Sequence, residues 1–230
     1  MEPCGEAALR VVAGGEGDSR SWQLVHDLAA WLQSNPVAGV YGAVPTYDSV
    51  LIEFDPVQLT AATLESIVTL ALQAPVAQVR APRKFTVPVV YGGESGPDLS
   101  AVADHLGISE REVIDAHTAD EVIVRCLGGP AASCMLDGPA FAAPIPRLAD
   151  PRISVPANAV SVAGRQGVIG PVRAPSGWQL IGLSPVEVLD LDSAELVPYR
   201  PGDRVQFREI DVEEWDEYRG TYLRDLEEAC

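Results

Sequence analysis

The sequence predicts an α+β chain, a small N-terminal α/β domain followed by a barrel or sandwich of short strands. Three observations predict it. Apolar residues recur first at strand and helix spacings in the order β-α-β-β-α. The pattern then changes around Ala81-Pro82-Arg83-Lys84, beyond which short apolar runs alternate with Gly and Pro turns. An acidic segment with apolar residues at helical spacing closes the chain. The expected domains are residues 1–83 (α/β), 84–210 (strand-rich) and 211–230 (an acidic C-terminal helix).

Taken in order, Ala7–Ala13 reads as a strand. Ser19 or Ser21 caps a helix to about Ser34, with Trp22, Val25, Leu28, Ala29 and Leu32 at helical spacing. Asn35-Pro36 stops it, because proline cannot continue a helix. Val37–Ala43 and Ser49–Phe54 are strands joined by the turn Pro45-Thr46-Tyr47-Asp48. A helix follows over Thr60–Gln73, and a further strand is expected at Gln78–Arg83. The order suits a split βαβ sandwich.

In the second part, Phe85–Tyr91 is a strand and Gly92-Gly93 turns the chain into a helix ending at Gly107. Ser109 and Glu112 form a capping box for the next helix, which runs to about His117. Val122–Leu127 is a strand. Gly128–Pro156, rich in Pro, Gly and Ala, reads as a long irregular connection. Strands are expected at Ala159–Ala163, Val168–Pro171, Trp178–Leu183, Val186–Leu189 and Val205–Ile210. Trp215, Tyr218, Tyr222 and Leu226 predict the terminal helix.

Composition excludes several functions. The net charge of −17 opposes nucleic acid and anionic membrane surfaces, which need Lys and Arg. No apolar run is long enough to span a bilayer. The acidic start lacks the pattern of a secretory signal, so the cytoplasm is the expected compartment. Cys4, Cys126, Cys134 and Cys230 form no CxxC pair, and His26, His105 and His117 are scattered, so no metal site is expected. Lys84 is the single lysine, which excludes lysine chemistry almost everywhere.

Several motifs occur in a specific order. Pro45-Thr46-Tyr47-Asp48-Ser49 leads to Glu53-Phe54-Asp55-Pro56, then Tyr91-Gly92-Gly93-Glu94 to Gly96-Pro97-Asp98-Leu99, then His117-Thr118. Next come Pro151-Arg152, Val155-Pro156, Val162-Ala163-Gly164 with Gln166, Pro175 with Gly177-Trp178 and Ile181-Gly182, and Pro201-Gly202-Asp203-Arg204-Val205 with Phe207. In this order they resemble the family of the 5-oxoprolinase B subunit, the kinase inhibitor KipI and allophanate hydrolase subunit 1 (carboxyltransferase subdomains C and D), over about residues 7–210.

The resemblance implies a cyclophilin-like β-barrel behind the α/β domain. It implies a subunit of an ATP-dependent 5-oxoprolinase or allophanate-hydrolase-like complex that opens a cyclic amide. ATP would be bound through the complex. The site would be shared with a homologous second barrel subunit, of the oxoprolinase C type or the allophanate hydrolase subunit 2 type. In the oxoprolinase complex a third subunit joins. One alternative is a KipI-like, non-catalytic inhibitor of a sensor histidine kinase, and another is a carboxyltransferase-like role with biotin held on a carrier elsewhere.

Four residues are candidates for the site. His117 matches the family's H-[ST] and has the chemistry of a general base; it is the catalytic candidate. Arg152 offers a bidentate fork for a carboxylate or phosphate. Gln166 offers hydrogen bonds to an amide. Trp178 offers either a core ring or a flat platform. These three are the substrate-binding candidates. Tyr91–Gly96 is neither GxGxxG nor a Walker A motif and reads as a tight turn. Asp98 either caps the helix after it or, with Glu94, binds a cation.

The chain also departs from the family. Where the family has G-F-x-P-G-F-x-Y-L, this chain has Gly128-Gly129-Pro130-Ala131-Ala132-Ser133-Cys134-Met135-Leu136. The Thr and Tyr of Q-T-G-I-Y-P become Gly167 and Gly170. Losing these rings and hydroxyls predicts an enlarged, softer pocket, and with it a changed substrate, reduced activity or a structural role.

Overall fold

The computed structural model describes residues 1–14, 18–74 and 80–228. The chain divides into two compact units, Met1–Ala81 and Pro82–Cys230.

The N-terminal unit is one sheet with two helices. Its elements are β1 (Glu2–Pro3), β2 (Ala8–Val12), α1 (Ser19–Ser34), β3 (Val40–Pro45), β4 (Ser49–Phe54) and α2 (Ala61–Ala71). The sheet order is β1-β2-β4-β3, all antiparallel. Alternation along β2 and β4 turns Leu9, Val11, Val50, Ile52 and Phe54 inward, where Val25, Leu28, Leu32, Leu64 and Val68 of the helices meet them. The cap of α1 is Asp18, whose carboxylate takes the N–H groups of Arg20 and Ser21, one residue before the expected serine. Part of the strand expected at Gln78–Arg83 lies outside the described residues, and Arg80–Arg83 is not a strand.

The second unit contains β5 (Lys84–Tyr91), α3 (Leu99–Leu106), α4 (Glu110–Thr118), β6 (Val122–Gly128), β7 (Ser133–Asp137), β8 (Arg152–Val155), β9 (Ala159–Ala163), β10 (Gln166–Gly170), β11 (Ala174–Ser176), β12 (Gln179–Leu183), β13 (Arg204–Glu209) and β14 (Glu227–Glu228). Strands pair in the order β12-β9-β10-β7-β6-β13-β5, and β12 pairs again with β5. That second pairing closes a seven-stranded barrel. Closure removes the free edges that an open sheet would expose. The short β14 adds to β5, and β8 and β11 form a separate two-stranded sheet. Phe85, Val87, Val89, Leu136, Val160, Val162, Ile169, Ile181, Val205 and Phe207 fill the core.

Strand directions define two ends. Since β13 runs parallel to β5 and every other barrel pair is antiparallel, β5, β13, β7 and β9 finish at the end where β6, β10 and β12 begin. Tyr91, Ala163, Gln166, Gln179 and Asp137 therefore lie at one end. The β6–β7 loop, Gly129–Ala132, lies at the other.

Three further sequence expectations need correction. Val186–Leu189, expected as a strand, contributes only the isolated bridge Glu187–Tyr222. Ser133–Asp137, expected within an irregular connection, is a barrel strand, because Cys134 and Leu136 alternate inward and are fully buried. The acidic tail is not one helix. It forms two 3₁₀ turns, Val212–Tyr218 and Leu223–Leu226, broken by Gly220 at φ +79°, and ends in β14. Leu223 is fully buried and β14 pairs with Lys84 and Phe85, so tertiary anchoring overrides the helical spacing.

Candidate functional site

The turn after β5 is built by backbone contacts. Gly92 (φ +68°) and Gly93 (φ +53°) take the left-handed conformation that glycine adopts without steric cost. The chain then runs against β12: Gly92 N–H donates to Ile181 O (3.1 Å) and Asp98 N–H to Leu180 O (3.0 Å). A Cβ on Gly96 would lie 1.9 Å from Ile181 O, so only glycine fits there. These glycines bring backbone to backbone, in keeping with the tight-turn reading.

This zipper delivers Asp98 to the start of β12. Its carboxylate accepts from Leu180 N–H (2.7 Å) and takes both terminal nitrogens of Arg152, each at 2.6 Å. Asp98 is 7 % exposed. The geometry is the fork-to-fork pairing that strengthens charge-assisted hydrogen bonds, and the carboxylate raises the Arg152 pKa above its ordinary value. Arg152 has its bidentate partner, and that partner is internal. Asp98 stands at the head of α3 without a side-chain capping bond, and it forms no metal cluster with Glu94 among the described residues.

Trp178 sits beside this pair. Its N–H donates to Ser176 Oγ (3.1 Å) on β11, whose register partner on β8 is Arg152. The exposed Arg147 guanidinium lies 5.7 Å from the Trp178 ring centre, a cation–π arrangement. The next residue, Gln179, donates from Nε2 to Pro146 O (2.9 Å), while its buried Oε1 has no partner among the described residues. On the neighbouring turn, Gln166 pairs with Ala163 and Asp137 and borders a cavity of about 10 Å³ with Phe141, Val162 and Arg165. That cavity holds at most a single water. Arg152, Trp178 and Gln166 thus gather at the same barrel end, together with Arg147 and Arg165.

His117 belongs to a different environment. It lies in the last turn of α4, is 2 % exposed, and its Nδ1 lies 2.7 Å from Tyr91 Oη. Its ring centre is 4.3 Å from that of Phe207. Burial pulls its pKa down to about 3, so the ring is neutral at neutral pH. The same burial pushes the Tyr91 phenol well above its ordinary pKa. The pair is a satisfied buried hydrogen bond, and the structure does not bring His117 to the surface that carries Arg147 and Trp178.

Sequence reasoning missed Arg147, Gln179 and Tyr91, and left the Asp98 role open. Gln179 stands next to a candidate, but nothing in a Gly-Trp-Gln run shows that one end of the carboxamide stays unpaired. Arg147 lies in a Pro-rich segment without periodicity, so only the fold shows its ring partner. The described cysteines Cys4, Cys126 and Cys134 are free thiols; burial pushes Cys126 up to about 11. No helix among the described residues is long and apolar enough to cross a membrane.

Comparison with known proteins places this geometry in context. Residues 1–199 match the carboxyltransferase domain family, subdomains C and D. The chain is 30% identical over 230 residues to the 5-oxoprolinase B subunit of Bacillus subtilis (strain 168), covering 95% of this chain and 96% of that protein. Among solved structures, TTHA0988 superposes with a TM-score of 0.78 at 33% identity, covering 89% of this chain. This chain spans only 40% of the length of TTHA0988. The urea amidolyase of K. lactis shares the fold, with a TM-score of 0.76 at 17% identity over 92% of this chain and 15% of its own. With its full-length relative and its matching barrel, the chain belongs to the carboxyltransferase subdomain C and D family.

Proposed function

We propose that the chain is the B-type subunit of an ATP-dependent 5-oxoprolinase-like complex. In this reading it supplies one wall of a cyclic-amide hydrolase site shared with a homologous second barrel subunit. The observation that carries it is the likeness to a 5-oxoprolinase B subunit over nearly the whole of both chains. The wall is the barrel end bearing Arg147, Arg152, Arg165, Gln166 and Trp178. The exposed guanidinium groups of Arg147 and Arg165 at that end, in a chain of net charge −17, favour an anionic substrate, such as a carboxylate-bearing lactam or a nucleotide phosphate.

The roles follow from the contacts. Trp178, with Arg147 across its ring, offers a flat wall with a cation at its edge. Arg152 is a positioning residue, since Asp98 occupies its fork and ties it to β12. His117 is a positioning residue too, fixing Tyr91 through the 2.7 Å contact with its hydroxyl. The proton chemistry and the ATP site then fall to the complex. This chain spans 40% of TTHA0988, which agrees with a barrel that works beside further polypeptide.

The test is co-expression with the homologous barrel subunit, co-purification, and an assay of ATP-dependent 5-oxoproline hydrolysis. The proposal predicts turnover only when both subunits are present. A stable complex without turnover on 5-oxoproline would contradict the substrate, and failure to form any complex would contradict the subunit reading and favour the KipI-like alternative.

A further inference from the structure

The N-terminal unit carries a groove lined by its own residues. Its cavity volume is about 420 Å³, and Arg10, Thr46, Tyr47, Asp48, Ser49 and Leu51 line it. Five of these residues come from the turn between β3 and β4 and the start of β4. Arg10 reaches it from β2, where its register partner is Leu51. Helices α1 and α2 pack on Leu9 and Val11, so alternation puts Arg10 on the opposite face of the sheet.

The turn is held from several sides. Thr46 N–H and Oγ1 both donate to Ser49 O, at 2.7 and 3.0 Å. Thr46 Oγ1 and Ser49 Oγ are 3.0 Å apart. Asp48 O accepts from Ala13 N–H (2.9 Å), and His26 Nε2 lies 3.1 Å from Thr46 O. Ser49 is 6 % exposed, so its hydroxyl is a fixed part of the groove floor. Preformed walls lower the ordering cost of binding a small ligand.

The charges at this groove stay apart. The Arg10 side chain has one hydrogen bond among the described residues, a long one of 3.4 Å from Nη2 to Ser49 Oγ, and no carboxylate partner there. The Asp48 carboxylate likewise has no partner among the described residues. A guanidinium and a carboxylate thus face one groove without pairing to each other. By contrast, Arg83, Arg111, Arg125, Arg152, Arg200 and Arg204 all have carboxylate partners. A ligand carrying a carboxylate beside an N–H donor can pair with Arg10 and donate to Asp48 at once, whereas an anion without such a donor leaves the Asp48 carboxylate unmatched.

We infer that this groove binds a small amphoteric acid, a molecule with a carboxylate next to an N–H donor, as in an α-amino acid or a cyclic amide acid. The carboxylate pairs with Arg10, steadied by Ser49. The N–H group donates to Asp48. Leu51 and the Tyr47 ring line the apolar part. The site lies in the N-terminal unit alone and does not rest on the role given to the barrel end.

The test is an amide-shift titration of the isotope-labelled full chain with L-glutamate, 5-oxo-L-proline and, as the control without N–H, glutarate. The expected result is saturable shifts confined to residues around Arg10 and Thr46–Leu51, from glutamate or 5-oxoproline, with glutarate binding about tenfold more weakly. Arg10→Gln should abolish saturation for all three, and Asp48→Asn should remove the preference over glutarate while leaving the spectrum folded. Absence of shifts at this groove, equal binding of glutarate, or binding that survives Arg10→Gln in a folded variant overturns the inference. The wild-type shift map decides the matter even if a variant fails to fold. Because no partner subunit or turnover is involved, these outcomes are separate from those of the oxoprolinase assay.

Discussion

The two ends of the barrel contrast in what they carry and in how far they depart from the family pattern. One end has the Gly92–Asp98 zipper, the Asp98–Arg152 pair and Trp178 under Arg147. Its Tyr-Gly-Gly, Pro-Arg and Gly-Trp motifs stand as the family has them, although the family's Thr beside Gln166 is Gly167. The other end has the β6–β7 loop, where the aromatic and P-G residues are replaced. There Ala131 (φ 53°) and Ala132 (φ 58°) both take the left-handed conformation, and Ala132 O accepts from the Tyr199 hydroxyl (2.9 Å). The sequence alone suggests that the lost rings open the substrate pocket. Strand directions put that loop at the end away from Arg152, Gln166 and Trp178, so under the proposed site the replacement acts on the local backbone and not on the shared wall. A departure from a family motif has meaning only once its end of the fold is known.

The contrast can be tested through stability first. Gly96→Ala should have the largest effect, more than about 3 kcal/mol, since its Cβ would lie 1.9 Å from Ile181 O and force the zipper off β12. Chemical denaturation measures it. A near-neutral result would mean that the turn is not clamped. Next, Asp98→Ala should cost about 3 kcal/mol, because it strands the Leu180 N–H and the Arg152 fork together. Arg152→Met should cost less, since Asp98 keeps the backbone donor and Arg152 is partly exposed.

A smaller effect is expected from the buried histidine. His117 has a folded pKa of about 3 against an ordinary 6.5, so the unfolded chain binds the extra proton between those values. Its contribution is therefore flat above pH 6.5, and stability falls as pH drops below 6.5 toward 3, by about 1.4 kcal/mol per unit. The carboxylates at Asp18, Asp55 and Glu112 have lowered pKa values, so their stabilisation is lost at more acid pH. The His117 contribution is the difference between wild type and His117→Gln in urea midpoints measured across pH 5 to 7. Parallel pH profiles for the two proteins would show that the ring is not buried neutral. The smallest effect is a gain: Ala132→Gly should stabilise by about 1 kcal/mol by relieving the left-handed alanine. Thermal melting would show it, and a loss of stability would mean that the loop conformation differs.

Much of the fold is legible in the sequence because local rules and burial agree. Ser109 and Glu112 do form the reciprocal capping box, and Gly107 (φ +70°) ends α3. Strand β9 falls at Ala159–Ala163 as the spacing predicts. The tail is not legible in the same way, because Leu223 and β14 are fixed by long-range partners that helical spacing does not reveal. The site is only half legible for a related reason. A sequence shows which side chains can form a fork or a hydrogen bond, but not with whom. Arg152 finds Asp98, 54 positions away, and His117 finds Tyr91, 26 positions away.

The most direct test of the central claim, that the shared site lies at the Arg147–Trp178 end, uses the complex reconstituted from both barrel proteins. ATP-dependent 5-oxoproline turnover would be compared for wild type, Trp178→Ala and Ala132→Gly, with melting curves to confirm that each variant is folded. The account predicts that Trp178→Ala lowers turnover by about a hundredfold through lost positioning, while Ala132→Gly leaves it unchanged. Full activity in Trp178→Ala together with altered turnover in Ala132→Gly would contradict it and place the site at the other end.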